Sequence, residues 1–236
     1  MPMLVRVAAA MLLAAGVSAA AAATGLRAQF QQETPGAEPL VIEISEAGDF
    51  RVPAHAGTGT LIGVSGTAYL VEERPDGTAS VVRLDDLASA VDAVLLPGAS
   101  ARRGSRAGRS IPAQPPGAQR IGSRSVGGIE GELWRLPDGA ELVASRAPEL
   151  AALGKAVESH MGLIAMQVGP ALGIRATDML HAGRMLSGLG ALIEQGAFRL
   201  IALEPAEIDP ARFRLPAEPR SREDMIRELR GEAPGR

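Results

Sequence analysis

Acid–base chemistry near neutral pH usually rests on histidine, and this 236-residue chain has three: His55, His160 and His181. His55 lies in the Pro53–Gly57 stretch and reads as a solvated loop residue. His160 and His181 fall on two stretches of helical periodicity. His181 is three residues from Asp178, close enough on a helix for a carboxylate–imidazole contact. His160 is two residues from Glu158, which places the two on different sides of a helix. A metal or acid–base pair across facing helices, assisted by Glu158 or Asp178, is the sharpest catalytic reading. Neither His-x3-His nor His-Glu-x-x-His spacing accompanies it, and histidines at the edge of an apolar face are the simpler reading. Gly63-Val64-Ser65-Gly66 lacks the spacing of a nucleophile elbow. The glycine run Gly57-Thr58-Gly59-Thr60-Leu61-Ile62-Gly63 lacks the Lys-Ser/Thr of a phosphate loop and leads into a strand where those motifs lead into a helix. The expectation is a non-enzymatic protein with no catalytic residue, no metal and no cofactor.

The absence of cysteine excludes a disulfide framework, a thiolate metal site and a thiol nucleophile. A net charge of −3 argues against a general polyanion binder. From Ala101 to Arg124 there are six arginines and no acid, a composition that could meet lipid head groups. The segment has no aromatic residue on which bases could stack, so nucleic acid is not an expected partner. A solvated loop is the preferred reading, because arginine is the habitual base of this chain: of its 24 basic residues only Lys155 is a lysine. With one tryptophan and one tyrosine, a sugar-stacking site is also disfavoured. Methionine is more suggestive. Met161, Met166, Met179 and Met185 all lie in the two helical stretches, and methionine adapts to irregular apolar ligands as well as filling gaps in a core.

The elements that would position these residues follow from turns and periodicity. Val41 to Ile44, Thr58 to Val64, Thr67 to Val71 and Ser80 to Leu84 are β-type runs. Ser65-Gly66 and Pro75-Asp76-Gly77 separate the later ones. Asp85 to Leu95 has helical spacing, with Asp85 as its expected cap and Pro97-Gly98 as its end. A second β block covers Arg120 to Val126, Glu130 to Leu136 and Ala140 to Ser145, with turns at Gly127-Gly128 and Pro137-Asp138-Gly139. Beyond Pro148 the period lengthens. Leu150, Leu153, Val157, Met161, Ile164 and Val168 step by three and four, which predicts a helix burying those six on one face. A second helix is expected from a Thr177 cap through Leu180, Gly183, Leu186, Leu189 and Ile193 to Gly196, then a strand from Phe198 to Leu203. Ser221, three residues before Asp224, predicts the cap of a terminal helix holding Met225, Ile226 and Leu229. The expected fold is α+β: a curved, mainly antiparallel sheet, half-barrel-like, covered on one face by a helix pair.

Residues 1–23 show the order of a secretory signal: Arg6, an apolar run from Val7 to Val17, then small residues with Ala21 and Ala23 placed for cleavage. Cleavage after Ala28 is the second possibility. The expected product is periplasmic or secreted, with no integral membrane span once the signal is removed. Residues 24–39 read as a flexible spacer, 40–217 as a single domain with a disordered Arg/Pro-rich insert at 98–118, and 218–236 as a tail with a short helix.

The stretch Ile121-Gly122-Ser123-Arg124-Ser125-Val126-Gly127-Gly128-Ile129-Glu130-Gly131-Glu132-Leu133-Trp134-Arg135-Leu136 resembles a segment of exported bacterial domains of uncharacterised function. The run Ile208-Asp209-Pro210-Ala211-Arg212-Phe213-Arg214-Leu215-Pro216 resembles the close of such domains. They are similar in outline to the LolA/LolB-like periplasmic lipoprotein carriers. That resemblance implies an unclosed antiparallel sheet wrapped around a helical lid, with an apolar cavity between them. Lipid or another apolar ligand would then be the expected partner, with Trp134, Met161, Ile164 and Met185 as candidate ligand-binding residues. Two alternatives stand beside it: an envelope structural or interaction protein with a filled core, and a hydrolase whose residues the sequence does not pair.

Overall fold

The computed structural model describes residues 25–32, 36, 38–54, 58–96 and 115–232. The signal-like segment, His55 and residues 97–114, most of the Arg/Pro-rich insert, lie outside them. One eleven-stranded sheet organises the molecule. Its strands are β1 (Gly25–Gln31), β2 (Leu40–Ser45), β3 (Phe50–Val52), β4 (Thr60–Val64), β5 (Thr67–Glu73), β6 (Ala79–Arg83), β7 (Gln119–Val126), β8 (Ile129–Arg135), β9 (Glu141–Ser145), β10 (Ala191–Gln195) and β11 (Phe198–Ala206). Their spatial order is β6-β5-β4-β3-β2-β1-β11-β10-β9-β8-β7, and every neighbouring pair is antiparallel. The chain therefore meanders outward from the centre through β6. It re-enters at the opposite edge with β7 and works back until β11 lies beside β1. The α+β class and the open antiparallel sheet are as expected.

The sheet is strongly curved. Gly127, in the β7–β8 turn at φ +58°, lies so close to β11 that a Cβ there would sit 3.0 Å from the Leu200 carbonyl oxygen. Val126 is thereby fully buried and joins Phe30, Phe198 and Leu200 in the main core. Across the central seam Phe30 of β1 stacks on Phe198 of β11, with ring centroids 4.6 Å apart.

Four helices complete the fold: α1 (Leu84–Leu95), α2 (Ala151–Val168), α3 (Ala176–Ser187) and α4 (Arg222–Leu229). Helix α2 packs on β2, β3, β4 and β10 and against α3, while α1 packs against α3 and α4. Asp85 does not cap α1, whose N-cap is Arg83 without a side-chain bond. Thr177 does not cap α3 either; Asp92 of α1 does so from outside the helix. Buried to 3% exposure, Asp92 accepts hydrogen bonds from the Ala176 amide at 2.7 Å, the Thr177 amide at 3.3 Å, the Thr177 hydroxyl at 2.6 Å and Arg175 Nε at 3.4 Å.

Several expectations are corrected. Residues 25–31 of the supposed spacer form β1, in the middle of the sheet: Leu26, Ala28 and Phe30 alternate with Arg27, Gln29 and Gln31, so one face enters the core. The second helix ends at Ser187, and residues 191–195 are β10. Gly190, at φ +129°, makes the break: a Cβ there would lie 2.5 Å from the Ser145 carbonyl oxygen.

The buried face of α2 is also rotated from the expected one. Leu153, Ala156, Val157, His160, Leu163 and Met166 are buried, whereas Ile164 is 39% and Val168 52% exposed. Helix α2 buries itself against two neighbours, the sheet and α3. Its small residues make the second contact, and a Cβ at Gly162 would lie 2.5 Å from Leu180 Cδ2. Burying glycine, alanine and serine there leaves larger residues outside.

The tail is a strap. After β11 the chain crosses the outer face of the sheet, where Arg212 grips the buried Glu43 of β2 in a two-point bond (Nε to Oε2 2.9 Å, Nη2 to Oε1 3.0 Å). Arg27 and Arg51 flank Glu43 at 3.7 and 3.6 Å. Burial, then the nearby Arg212 charge, push the Arg51 pKa down from its ordinary value, and Glu43 opposes both. Leu215 packs on Ile62, Val71 and Val81. The Arg220 amide donates to the Val81 carbonyl on the β6 edge at 2.8 Å. Ser221 then caps α4 as expected, accepting from the Asp224 amide at 3.1 Å. Met225 of α4 is buried at 3% exposure in the main core.

Candidate functional site

Two turns at one end of the α2–α3 hairpin frame a concavity. Strand β9 stops at Ser145, and Ala147-Pro148 starts a 3-10 turn (Pro148–Leu150) that feeds α2. Proline suits this first helical position, where no amide donor is needed. On the other side α3 stops at Ser187, and Gly188-Leu189-Gly190 turns the chain into β10. A Cβ at Gly154 would sit 3.0 Å from Ala191 Cα, so only glycine lets α2 and β10 approach this closely.

Between the turns lies an open groove of about 640 Å³. Its lining is chiefly small: Gly48, Ala147, Pro148, Ala151, Ala152, Gly154, Gly188, Gly190 and Ala191, with Ser145 and Ser187. Charge is confined to Arg146, Lys155 and Glu158. Arg146 Nε is 3.2 Å from Glu132 Oε2. Glu158 faces Arg184 Nε at 3.7 Å, and Arg184 also pairs with Asp85.

Two smaller spaces adjoin the groove and share Glu158 with it. One, of about 50 Å³, is an apolar slot lined by Val157, Met161, Gly183, Leu186 and Leu192. The other, of about 70 Å³, is a polar crevice that includes Thr67, Arg83, Asp85, Lys155 and Arg184.

The candidate residues are not brought into one chamber. Met161 is half-buried in the apolar slot, and Ile164 points outward. Met185 is half-buried on α3. Trp134 is buried in a separate small core with Ala118, Leu142, Ala144 and Leu189, and its Nε1 is buried without a hydrogen-bond partner among the described residues. The space expected as a cavity beneath α2 is occupied by Phe30, Ile42, Leu153, Val157, Ile193 and Leu200, each exposed by 1% or less.

No catalytic constellation assembles among the described residues. His160 is buried in α2 while His181 is exposed on α3. No group of three or more metal-ligating side chains could hold an ion among those residues. Gly59 and Gly63 of the glycine run serve packing: a Cβ at Gly59 would lie 2.6 Å from the Val71 carbonyl oxygen, and one at Gly63 would overlap the Phe50 ring at 2.1 Å. No described helix is long and apolar enough to cross a membrane.

The groove was not anticipated from sequence. Its only signals are the paired glycines at 188 and 190, the Ala147-Pro148 helix start and the small residues of the first two turns of α2. No family model, no curated protein and no solved structure matches the chain.

Proposed function

We propose that this is an exported, non-enzymatic binding protein, periplasmic or secreted, that holds an apolar chain such as a lipid acyl group in the groove between the β9–α2 and α3–β10 turns. The observation that carries the reading is the groove itself. Its volume falls within the roughly 300–1,000 Å³ of small-molecule sites. Nine of its fourteen lining residues are glycine, alanine or proline, and the apolar Met161 slot adjoins it. Lys155 and Arg146 in its lining suit an anionic head group. The ligand position proposed here is the hairpin groove, because the interior beneath α2 is filled.

The test is titration with a fluorescent long-chain fatty acid. Wild type should bind with an enhanced, blue-shifted signal. Ala151→Trp, which places a large ring in the groove from an exposed helix position, should weaken binding at least tenfold with the fold intact. Unchanged binding by Ala151→Trp would remove the groove from the reading. No binding by wild type would favour the alternative that the filled core suggests, an envelope interaction protein without a ligand.

A further inference from the structure

Of the three charged side chains that line the groove, two are committed to neighbours. Arg146 reaches Glu132 at 3.2 Å, and Glu158 faces Arg184 of α3 at 3.7 Å. Lys155, the single lysine of the chain, is exposed and makes no ion pair within 4 Å among the described residues. Helical spacing alone would pair it with Glu158, three residues further along α2. Arg184 holds Glu158 instead, and it pairs with Asp85 of α1 as well. The Glu158 side chain is only 13% exposed, so its carboxylate is fixed between the two helices and leaves the Lys155 ammonium to the groove.

The charge balance agrees from two sides. The groove lining sets Arg146 and Lys155 against Glu158. The adjoining polar crevice sets Arg83, Lys155 and Arg184 against Asp85 and Glu158. Each has a surplus of one positive charge. Lys155 is the cation common to both spaces, and it is the one without an acid partner among the described residues.

That surplus specifies a head group. Lysine offers a compact point charge, whereas two-point recognition of phosphate favours the forked guanidinium, and the guanidinium in this lining is engaged by Glu132. A doubly charged phosphate ester would keep one charge uncompensated. A zwitterionic head would bring a cation to a site whose acid is already paired. One carboxylate at the end of an apolar chain matches both the charge and the small, mostly apolar lining. Taking the groove as the binding site, we infer that it selects the free acid of an apolar chain, a singly charged carboxylate held by Lys155, and that Arg184 keeps Lys155 available by holding Glu158.

The experiment is calorimetric titration of the protein at neutral pH and low ionic strength with decanoate, decanol and decyl phosphate. Wild type should bind decanoate at least about fivefold more tightly than decanol, the upper range for an exposed ion pair. The gap should narrow as salt is added, and decyl phosphate should gain nothing over decanoate. Lys155→Gln should bring decanoate down to the affinity of decanol, with decanol binding and the melting temperature unchanged. Lys155→Arg, which keeps the charge, should retain the preference. Arg184→Gln, outside the groove lining, should also reduce the preference by releasing Glu158 to Lys155, again with decanol binding unaltered. Equal binding of acid and alcohol by wild type would overturn the inference and leave the groove standing as an apolar site, as would a Lys155→Gln protein that still prefers the acid. Tighter binding of decyl phosphate would overturn the single-charge selection, and an Arg184→Gln protein as selective as wild type would overturn the role of Arg184. Binding of none of the three ligands would overturn the groove as a binding site together with the inference.

Discussion

Truncating Asp92 should expose how much of the helical layer hangs on one carboxylate. In Asp92→Ala the Ala176 amide, buried at the start of α3, loses its 2.7 Å acceptor, Thr177 loses two bonds, and Arg175 loses a partner at 3.4 Å. Loss of a side-chain cap costs ~1 kcal/mol, and each buried donor left unsatisfied adds about 1–3 kcal/mol. The Arg175 side chain is 18% exposed and recovers part of its hydration, so the ion-pair contribution is discounted. The expected total is about 3–5 kcal/mol. For a chain of this size each kcal/mol shifts Tm by about 2–4 °C, so a fall of roughly 6–20 °C is expected in calorimetry. Asp92→Asn keeps an acceptor for one amide and should lose less than half of this. Because the bonds join α1 to α3, hydrogen exchange should quicken first at residues 176–179 and leave the central strands protected. An Asp92→Ala variant within 1 kcal/mol of wild type would refute the reasoning. So would a large loss in which the α3 amides stay as protected as before.

Two further outcomes follow from the sheet and helix α2. Leu153→Ala, at a fully buried position, should cost about 2–5 kcal/mol, while Ile164→Ala should cost under ~1 kcal/mol because the side chain is 39% exposed; denaturant melts of both variants check the rotated face, and the reverse ranking would restore the face read from spacing alone. Exported protein should begin at Thr24 or close by, since cleavage after Ala28 would remove four of the seven residues of β1, including Ala28, which is fully buried; amino-terminal sequencing decides, and a folded product starting at Gln29 would refute it.

Turn chemistry made most of the sheet legible. Ser65-Gly66, both at positive φ, and Gly127-Gly128, likewise, mark two hairpins that pair as read. Three strands escaped for different reasons. β3 is only three residues long, too short to show alternation. β1 alternates strictly, but Arg27, Gln29 and Gln31 gave it the polar composition of a linker. β10 escaped because Leu186, Leu189 and Ile193 continue a helical spacing by coincidence, although α3 ends at Ser187 and Gly190 packs closely on Ser145. The face of α2 was misjudged because hydropathy weighs side chains, whereas Gly154, Ala156, Ser159 and Gly162 are buried for being small. The groove was hidden for the same reason: a site lined by glycine and alanine carries no chemical signature that spacing can reveal.

The position of β1 has a consequence for how the chain acquires its fold. Strands β1–β6 and β7–β11 each pair with sequence neighbours and can zip locally, but the seam between β1 and β11 joins residues separated by most of the chain, as in Gly25 opposite Ala206. Contacts of such long separation carry the largest loop-closure entropy and close late. Until β11 has been synthesised, the first meander has a bare edge along Ala28 and Phe30, and the second has one along Phe198 and Leu200 once it forms. Edges of this kind are templates for pairing with other chains. The stage most exposed to aggregation is therefore the pair of half-sheets waiting to meet, and mutations at the Phe30–Phe198 stack should lower the yield of folded protein by more than their effect on its final stability.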